Sequence, residues 1–529
     1  MSTTRQKHDQ ERDPLVRARR EKLQRWREQF GIEPYGGRVD GLISLAEARE
    51  RFSREAHEEH VADASVDNRP PALVAGRCVQ HRAMGKLVFM SLRDHTGDLQ
   101  VSISKADVDA ETFKIAAKLD YGDIVVAGGP VGMTQKGEIC IWANRFEVHS
   151  KSLAPPPEKY HGLADPELRY RKRYVDMYAN PETLQVFQQR SRLVSQIRRY
   201  MDSRDFLEVE TPMMQPLAGG AAARPFITHH NALDMKLYLR VAPELYLKRL
   251  LVGGMPRVYE INRNLRNEGV DKSHNPEFTA MEVYQAFGDT WSMLELTESL
   301  LHELATEAAR LRGLPESNGP VLPFGDHQVD YSRPFTKVKY GELFERTLGF
   351  PMTDFDRVRE KAASIGVEQA ATRDPWLLVN EVYEHFCEPA IDPRKPTFVT
   401  DYPSAISPLT RPRRDNPDLC ERWELLIAGM ELGTAYTELN DPDIQLAKFT
   451  DQLAGVDDEQ ATERAMDEDF LEALRVGMPP AGGLGLGVDR IVMLMTNATS
   501  IRDVILFPLM KRPSAAGATE EGEPCTHTA

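Results

Sequence analysis

Between Ala72 and Ser150, apolar and polar residues alternate with a period of two in five runs: ALVAGRCVQ, GKLVFMSLRD, DLQVSIS, DIVVAGGPVG and EICIWANRFEVHS. Alternation of this kind puts successive side chains on opposite faces, as a half-buried strand requires. Turn residues break the runs, among them His95-Thr96-Gly97-Asp98 and Gln135-Lys136-Gly137. Five short strands in so little chain predict a small barrel of the OB type, with a ligand-free sandwich fragment as the plainer alternative. The pattern divides the chain into a charged helical extension over 1–60, a barrel over 61–152, a linker over 153–166 and a larger mixed domain over 167–511. The proline-rich stretch Lys151–Glu158 marks the boundary. Residues 340–390 read as mostly helical. The tail 512–529, rich in Gly, Pro, Thr and Glu, is expected to be disordered.

In the larger domain, Val258–Ile261 and Phe278–Tyr284 alternate around a polar, charged stretch, Asn262–Asn275. This predicts an antiparallel hairpin whose loop carries Arg263, Arg266, Glu268, Lys272 and His274. Guanidinium groups on such a frame suit a carboxylate or a phosphate, because each offers a planar fork to two oxygens. The same pattern also describes an exposed hairpin with ordinary surface charge. Far downstream, Gly482–Leu494 (GGLGLGVDRIVML) is a glycine-rich strand running into an apolar helix, with Arg490 near the helix start. A glycine-rich turn alone usually means tight packing.

Three segments in order make a more specific pattern. Leu265-Arg266-Asn267-Glu268 in the hairpin, the glycine-rich strand with its Asp-Arg, and Phe206–Met214 (FLEVETPMM, a helix-to-strand passage at Pro212) resemble motifs 2, 3 and 1 of the class II aminoacyl-tRNA synthetases. Gly219–Asp234, Leu239–Gly254, Arg266–Thr279 and Ala435–Pro442 narrow the resemblance to the bacterial-type lysyl-tRNA synthetase family rather than its aspartyl or asparaginyl relatives. It covers roughly residues 15–511. The fold implied is α+β, an N-terminal OB-fold barrel followed by a class II core, an antiparallel sheet flanked by helices.

Composition changes this picture little. A chain of 529 residues has room for two or three domains and a large core. No apolar run approaches the roughly 20 residues that span a bilayer. The polar N-terminal stretch has no signal-like apolar region, and the five cysteines are scattered with no CxxC pair, so a reducing cytoplasm is the expected location and no membrane partner is expected. The net charge of −15 argues against indiscriminate nucleic-acid binding, yet a tRNA needs only a local basic surface. Arg17–Arg27 and Arg169–Arg173 are the two basic stretches, and each reads equally as a solvated helix face.

The resemblance implies a two-step reaction, in which ATP and L-lysine form lysyl-adenylate and tRNA(Lys) then accepts the lysyl group. It assigns ATP to Arg266, Glu268, His274, Asn275, Phe278, Glu424 and Arg490, with Arg266 and Arg490 as catalytic groups. Lysine falls to Gly220, Glu244, Arg266, Glu282, Tyr284, Thr434, Tyr436 and Glu438. Magnesium falls to Glu424 and Glu431, which without the resemblance would read as surface charge. On the barrel, Phe89, Gln100 and Glu138 match the anticodon-reading positions, although Phe89 also lies in an apolar run suited to a core. A homodimer through Phe206–Met214 is implied as well. Thr434 stands where the family usually has Asn, so one contact to the lysine carboxylate is expected to be weaker. Ser273 stands where some members have Arg, and Lys272 is placed to compensate. Two other readings are a paralogue that lysylates a protein and a non-catalytic tRNA-binding relic. The paralogues lack the barrel, and relics lose motif residues that this chain keeps.

Overall fold

The computed structural model describes residues 13–155, 163–217, 219–220, 223–315, 319–454 and 466–511. The tail over 512–529 with Cys525, the first twelve residues of the N-terminal extension and residues 156–162 of the linker lie outside the described residues. The chain divides after Leu184 into two units.

The first unit is a six-stranded barrel: β1 (Pro71–Met84), β2 (Leu87–Asp94), β3 (Gly97–Ser104), β4 (Ile124–Met133), β5 (Ile139–Trp142) and β6 (Arg145–Ser150). The strand order is β1-β2-β3-β5-β4-β6, and pairing of β1 with β4 closes the barrel. The last of the five expected runs is two strands, because its first part pairs with β3 and the end of β4 while its second part pairs with the start of β4. Alternation decides the interior: Val88, Met90 and Leu92 are buried, and Phe89 between them is partly exposed.

Helices α1 (Pro14–Phe30), α2 (Leu45–Glu50), α3 (Arg54–Ala62) and α4 (Ala110–Ala116) surround it. Asp13 caps α1 by accepting from the Leu15 amide. Trp26 of α1 and Leu45 and Ala48 of α2 join the same core as the barrel strands, so the extension shares the barrel's interior. Much of the basic charge here is spent internally. Arg19 is buried and donates to the carbonyls of Tyr121, Ser152 and Ala154, Lys22 pairs with Asp120 at 2.5 Å, and Arg27 pairs with Glu33. In α5 (Pro166–Arg171) and α6 (Arg173–Ala179), Arg169 and Arg173 both pair with the buried Asp176.

The second unit is built on an eight-stranded sheet in the order β15-β16-β17-β18-β19-β12-β11-β7. These strands are β7 (Leu207–Glu208), β11 (Arg257–Leu265), β12 (Glu277–Ala286), β15 (Thr336–Lys339), β16 (Thr397–Thr400), β17 (Arg422–Ile427), β18 (Met430–Thr437) and β19 (Ala481–Gly487). Six central strands are antiparallel, but β7 and β15 pair in parallel at the two edges, so the sheet is mixed rather than purely antiparallel. Its edge strands follow a helix or loop that returns the chain to the same end of the sheet, which a hairpin cannot do. Small sheets β8 (Met214–Gln215), β9 (Ile227–His230), β10 (Met235–Leu239) and β13 (Val321–Phe324), β14 (His327–Asp330) lie outside it. Pro212, expected on a strand, lies in the extended link between β7 and β8, consistent with its missing N–H.

One face of the sheet packs on α7 (Pro181–Asp202), α9 (Thr290–Leu311) and α15 (Val488–Thr496), giving the main core around Tyr259, Met281, Trp423 and Leu484. Asp289 and Ser292 close a capping box at the start of α9. Over 340–390, α10 (Tyr340–Leu348), α11 (Phe355–Ser364) and α12 (Pro375–Phe386) bury their own cluster around Tyr340, Val358 and Tyr383. Helices α8 (Glu244–Val252), α13 (Pro442–Ala454), α14 (Glu468–Gly477) and α16 (Ile501–Val504) complete the unit.

Candidate active site

The strand registers explain why the other face of the sheet is concave and acidic. Residues paired across antiparallel strands point to the same side. Glu424, Thr434, Gly485, Glu282 and Glu260 form one row across five strands, and Arg422, Tyr436, Gly483, Tyr284 and Val258 form the next. The middle strand contributes only glycine to both rows. A side chain at Gly485 would meet nothing and would simply fill the hollow, whereas one at Gly483 would overlap the Glu438 carboxylate. The result is a cavity of about 340 Å³.

Each carboxylate in the row has a different fate. Glu260 pairs with Arg240 at 2.6 Å and accepts from the Thr211 hydroxyl. Glu424 accepts from Tyr402 at 2.7 Å and pairs with Arg422. Among the described residues, Glu282 has only the Tyr284 hydroxyl, at 3.1 Å. Burial, aggravated by the Glu244 and Glu260 charges, pushes its carboxyl up to about 8.

Around this end, Gly220, Glu244, Tyr284, Thr434 and Tyr436 line the cavity with Glu282. Gly220 adopts φ +87°, and an added Cβ would stand 3.2 Å from Ala242 and 3.4 Å from Glu244. Glu438 is fully buried behind the wall and does not line the cavity, and Glu424 likewise stands back. The Thr434 hydroxyl donates to the Trp423 carbonyl at 3.0 Å, so its only proton is already committed. Lys248, one turn after Glu244, is buried between Glu244 and Glu438. Its sequence signal is the (i, i+4) Glu–Lys spacing in ELYLK, which pattern and motif reasoning missed because such pairs are common on helix surfaces.

At the opposite end the hairpin loop runs only from Arg266 to Pro276, because the strands are longer than alternation indicated. Arg263 therefore belongs to β11, opposite Thr279, and not to the loop. The Arg266 amide bonds the Pro276 carbonyl, and its guanidinium lies 5.2 Å from the Phe278 ring centre. Its Nε is buried and without a hydrogen-bond partner among the described residues. Glu268, Ser273, His274 and Asn275 line this end with Phe278. Asp271 orients His274, accepting from its amide at 2.7 Å and contacting Nδ1 at 2.8 Å. Arg490 bonds the Glu431 carbonyl and reaches Nε2 of His274 at 3.4 Å. Asp489 anchors the helix start that carries Arg490, accepting from Arg190 at 2.5 Å and from the Thr279 amide at 2.7 Å. Glu431 lines the cavity, where its setting in the concave face and the neighbouring Glu424 charge raise its carboxyl.

The cavity is therefore lined by guanidinium groups at one end and by carboxyl groups at the other. It suits a molecule with cationic groups joined to an anionic, phosphate-bearing one. Among the described residues no group of three or more His, Cys, Asp or Glu is arranged to hold a metal, so Glu424 and Glu431 could supply only part of a coordination shell. No helix among the described residues is long and apolar enough to cross a membrane.

A family model described as tRNA synthetases class II (D, K and N) matches residues 165–511, and one described as an OB-fold nucleic acid binding domain matches residues 72–149. Over 515 residues the chain is 46% identical to a lysine–tRNA ligase of Pelotomaculum thermopropionicum, covering 95% of this chain and 96% of that one. It is 46% identical over 508 residues to a lysine–tRNA ligase of Carboxydothermus hydrogenoformans, covering 95% and 99%. The corresponding enzyme name from Shigella boydii matches at 43% over 506 residues, covering 94% and 96%.

Glu282 makes stability depend on pH. Its carboxyl titrates at about 8 when folded and at its ordinary 4.5 when unfolded. Between those values the folded chain keeps a proton that the unfolded chain has lost. Its contribution is full below the ordinary carboxylate range and drains away as pH rises through about 8. Glu282→Gln cannot ionise. Relative to the wild type, its melting temperature is expected to rise by at least about 2–4 °C between pH 4, where both proteins carry a neutral side chain, and pH 9. An equal gap at both pH values would show that Glu282 ionises freely.

Proposed function

The chain belongs to the class II tRNA synthetases, in their lysine–tRNA ligase branch, and on that premise we propose that its cavity seats lysine at the Glu282 end and ATP between Arg266 and Arg490. The enzyme joins L-lysine to tRNA(Lys) through lysyl-adenylate, releasing diphosphate and AMP. The observation that carries the site reading is the charge pattern of the sheet face, an unneutralised Glu282 at one end and a partnerless buried Arg266 Nε at the other.

The lysine carboxylate is already an anion at neutral pH, so its attack on the α-phosphate needs no general base. It needs alignment and relief of repulsion between two anions. Arg266 stands where one guanidinium fork serves both. Arg490 and His274 serve the phosphates, Phe278 offers a face to the adenine, and Glu268 and Asn275 meet its edges. At the other end Glu244 takes the α-ammonium, and Gly220 lets the substrate approach the backbone. Glu282 and Tyr284 take the ε-ammonium, with Glu438 behind them, and Tyr436 walls the stem. The arriving ammonium displaces the proton that Glu282 holds at neutral pH. A neutral side chain would leave that carboxyl buried without a cation, which disfavours it.

Glu431, which lines the cavity, and Glu424, which stands back against Arg422 and Tyr402, are the two carboxylates assigned to magnesium, whose habit is one or two carboxylates completed by water and phosphate oxygens. Burial, then the Glu424, Glu384 and Glu431 charges, push Glu388 up to about 7, so this corner is acidic enough to favour a cation. When bound, the ion supplies neutralisation of phosphate charge. The barrel reads the anticodon through Phe89 and Gln100, partly exposed on β2 and β3, and Glu138, in the turn just before β5, with the Phe89 ring placed to stack on a base. The chain works as a cytoplasmic homodimer, and its small outer sheet leaves Met214, Ile227 and Met235 exposed beside Leu207 and Met213, an apolar surface suited to a second copy.

Arg266→Ala is expected to abolish lysine-dependent ATP–pyrophosphate exchange in a folded protein, since losing one preorganised charge contact costs roughly 3–4 kcal/mol of barrier. Exchange within about threefold of wild type would remove Arg266 from the site. Phe89→Ala and Glu138→Ala should weaken tRNA charging by the equivalent of ~1–3 kcal/mol while sparing exchange. Equal loss in both assays would make the barrel a structural support. Because the Thr434 proton is committed to Trp423, Thr434→Asn should lower KM for lysine, by no more than the ~1.5–3 kcal/mol of a charged hydrogen bond. A wild type that prefers ornithine or β-lysine would instead overturn the lysine assignment. Light scattering at micromolar concentration should give about twice the monomer mass, and a fully active monomer would sink the dimer.

A further inference from the structure

The amino-acid end of the cavity contains a cation that no substrate brings. Lys248 is fully buried, its ammonium 2.6 Å from Glu244 and 2.5 Å from Glu438. It does not line the cavity, and neither does Glu438, while Glu244 does. Burial opposes the charge on Lys248, yet the two carboxylates beside it hold its pKa above the ordinary value, so it stays charged. Gly483 leaves the space that Glu438 occupies, so the backbone of the glycine strand is shaped around this pair.

We propose that Lys248 is a positioning residue that sets the net charge of the amino-acid pocket, reducing three carboxylates to the charge that two substrate ammonium groups cancel. The proposal rests on reading Glu244 and Glu282 as the lysine ligands. Four carboxylates approach this end of the sheet: Glu244, Glu260, Glu282 and Glu438. Arg240 neutralises Glu260 at 2.6 Å. Lys248 neutralises one of the remaining three. The deficit left is two, and lysine carries two ammonium groups once its carboxylate is spent on Arg266. The filled pocket is then neutral, the arrangement that costs least beneath the surface. Lys248 also holds one Glu244 oxygen from behind, which fixes that side chain while it still faces the cavity. Without Lys248, Glu244 and Glu438 would face each other as unshielded anions. One would take up a proton or turn away, and the α-ammonium would lose its seat.

The test is a double-mutant cycle on the full-length enzyme, using ATP–pyrophosphate exchange with lysine. Lys248→Met should raise KM for lysine by about tenfold or more, with kcat and KM for ATP within about threefold. Adding Glu438→Gln removes the surplus carboxylate, and the double variant should recover most of that loss. Glu438→Gln alone leaves a surplus cation and should bind lysine more weakly than the double variant does. That comparison decides the matter if Lys248→Met fails to fold, since equal lysine KM in the two would overturn the proposal. It is overturned equally if Lys248→Met leaves KM for lysine unchanged, if the double variant is no better than the single, or if the loss spreads evenly over kcat and KM for ATP. Glu282→Gln separates the two layers. If it leaves KM for lysine unchanged, the pocket reading itself fails, whereas a raised KM there with an unaffected Lys248→Met sinks only the inference about Lys248.

Discussion

Negative charge held below the protein surface is the constraint around which the second unit is organised. Four strands and the α8 helix bring carboxylates to one face of one sheet, and a buried anion is tolerated only when paired, hydrogen-bonded or protonated. Glu260 is paired with Arg240, Glu424 with Arg422 and Tyr402, and Glu438 and Glu244 with Lys248. Glu282 alone is left to a tyrosine hydroxyl and answers by keeping its proton up to about 8. The position that lacks a cation is the one a cationic substrate completes.

The rest of the fold serves that face. The main core of α7, α9 and α15 covers the opposite side of the sheet, so the strands are rigid beneath the charges. Glycine alternation on β19 hollows the face at its middle strand. Asp489 ties the start of α15 to Arg190 and to the Thr279 amide, which sets where Arg490 emerges. Asp271 orients His274 in the same way, within the loop that begins at Arg266. Arg490 and His274 are thus positioned by Asp489 and Asp271, anions that the substrate does not need to displace, while the Arg266 Nε keeps no partner among the described residues.

The barrel follows a simpler rule. Its interior is filled by every second residue of β1 to β4, and the N-terminal helices contribute Trp26 and Leu45 to the same core. Several arginines that looked like a nucleic-acid surface are instead tied to internal carbonyls and carboxylates, as with Arg19, Arg169 and Arg173. Alternation leaves Phe89 on the outer side of β2 between the buried Val88 and Met90, which is why a ring in an apolar run is not core.

Period-two alternation and turn residues determined the barrel, the hairpin with Arg266 and the glycine strand running into Arg490, and the family resemblance carried by the motif order named many of the residues that line the cavity. Such features are local, and a strand's faces follow from its own sequence. Only the tertiary structure decided which carboxylates are free. Glu282 and Glu438 look alike along the chain, yet one faces the cavity and the other is closed off by Lys248, because that depends on what lies two strands or one helix away. The edges of the sheet are parallel for the same reason, as the helices and loops between distant segments return the chain in the same direction. The Thr434 hydroxyl shows the limit most plainly. Its residue type suggested a donor to the substrate, and the neighbouring strand's Trp423 carbonyl had already taken the proton.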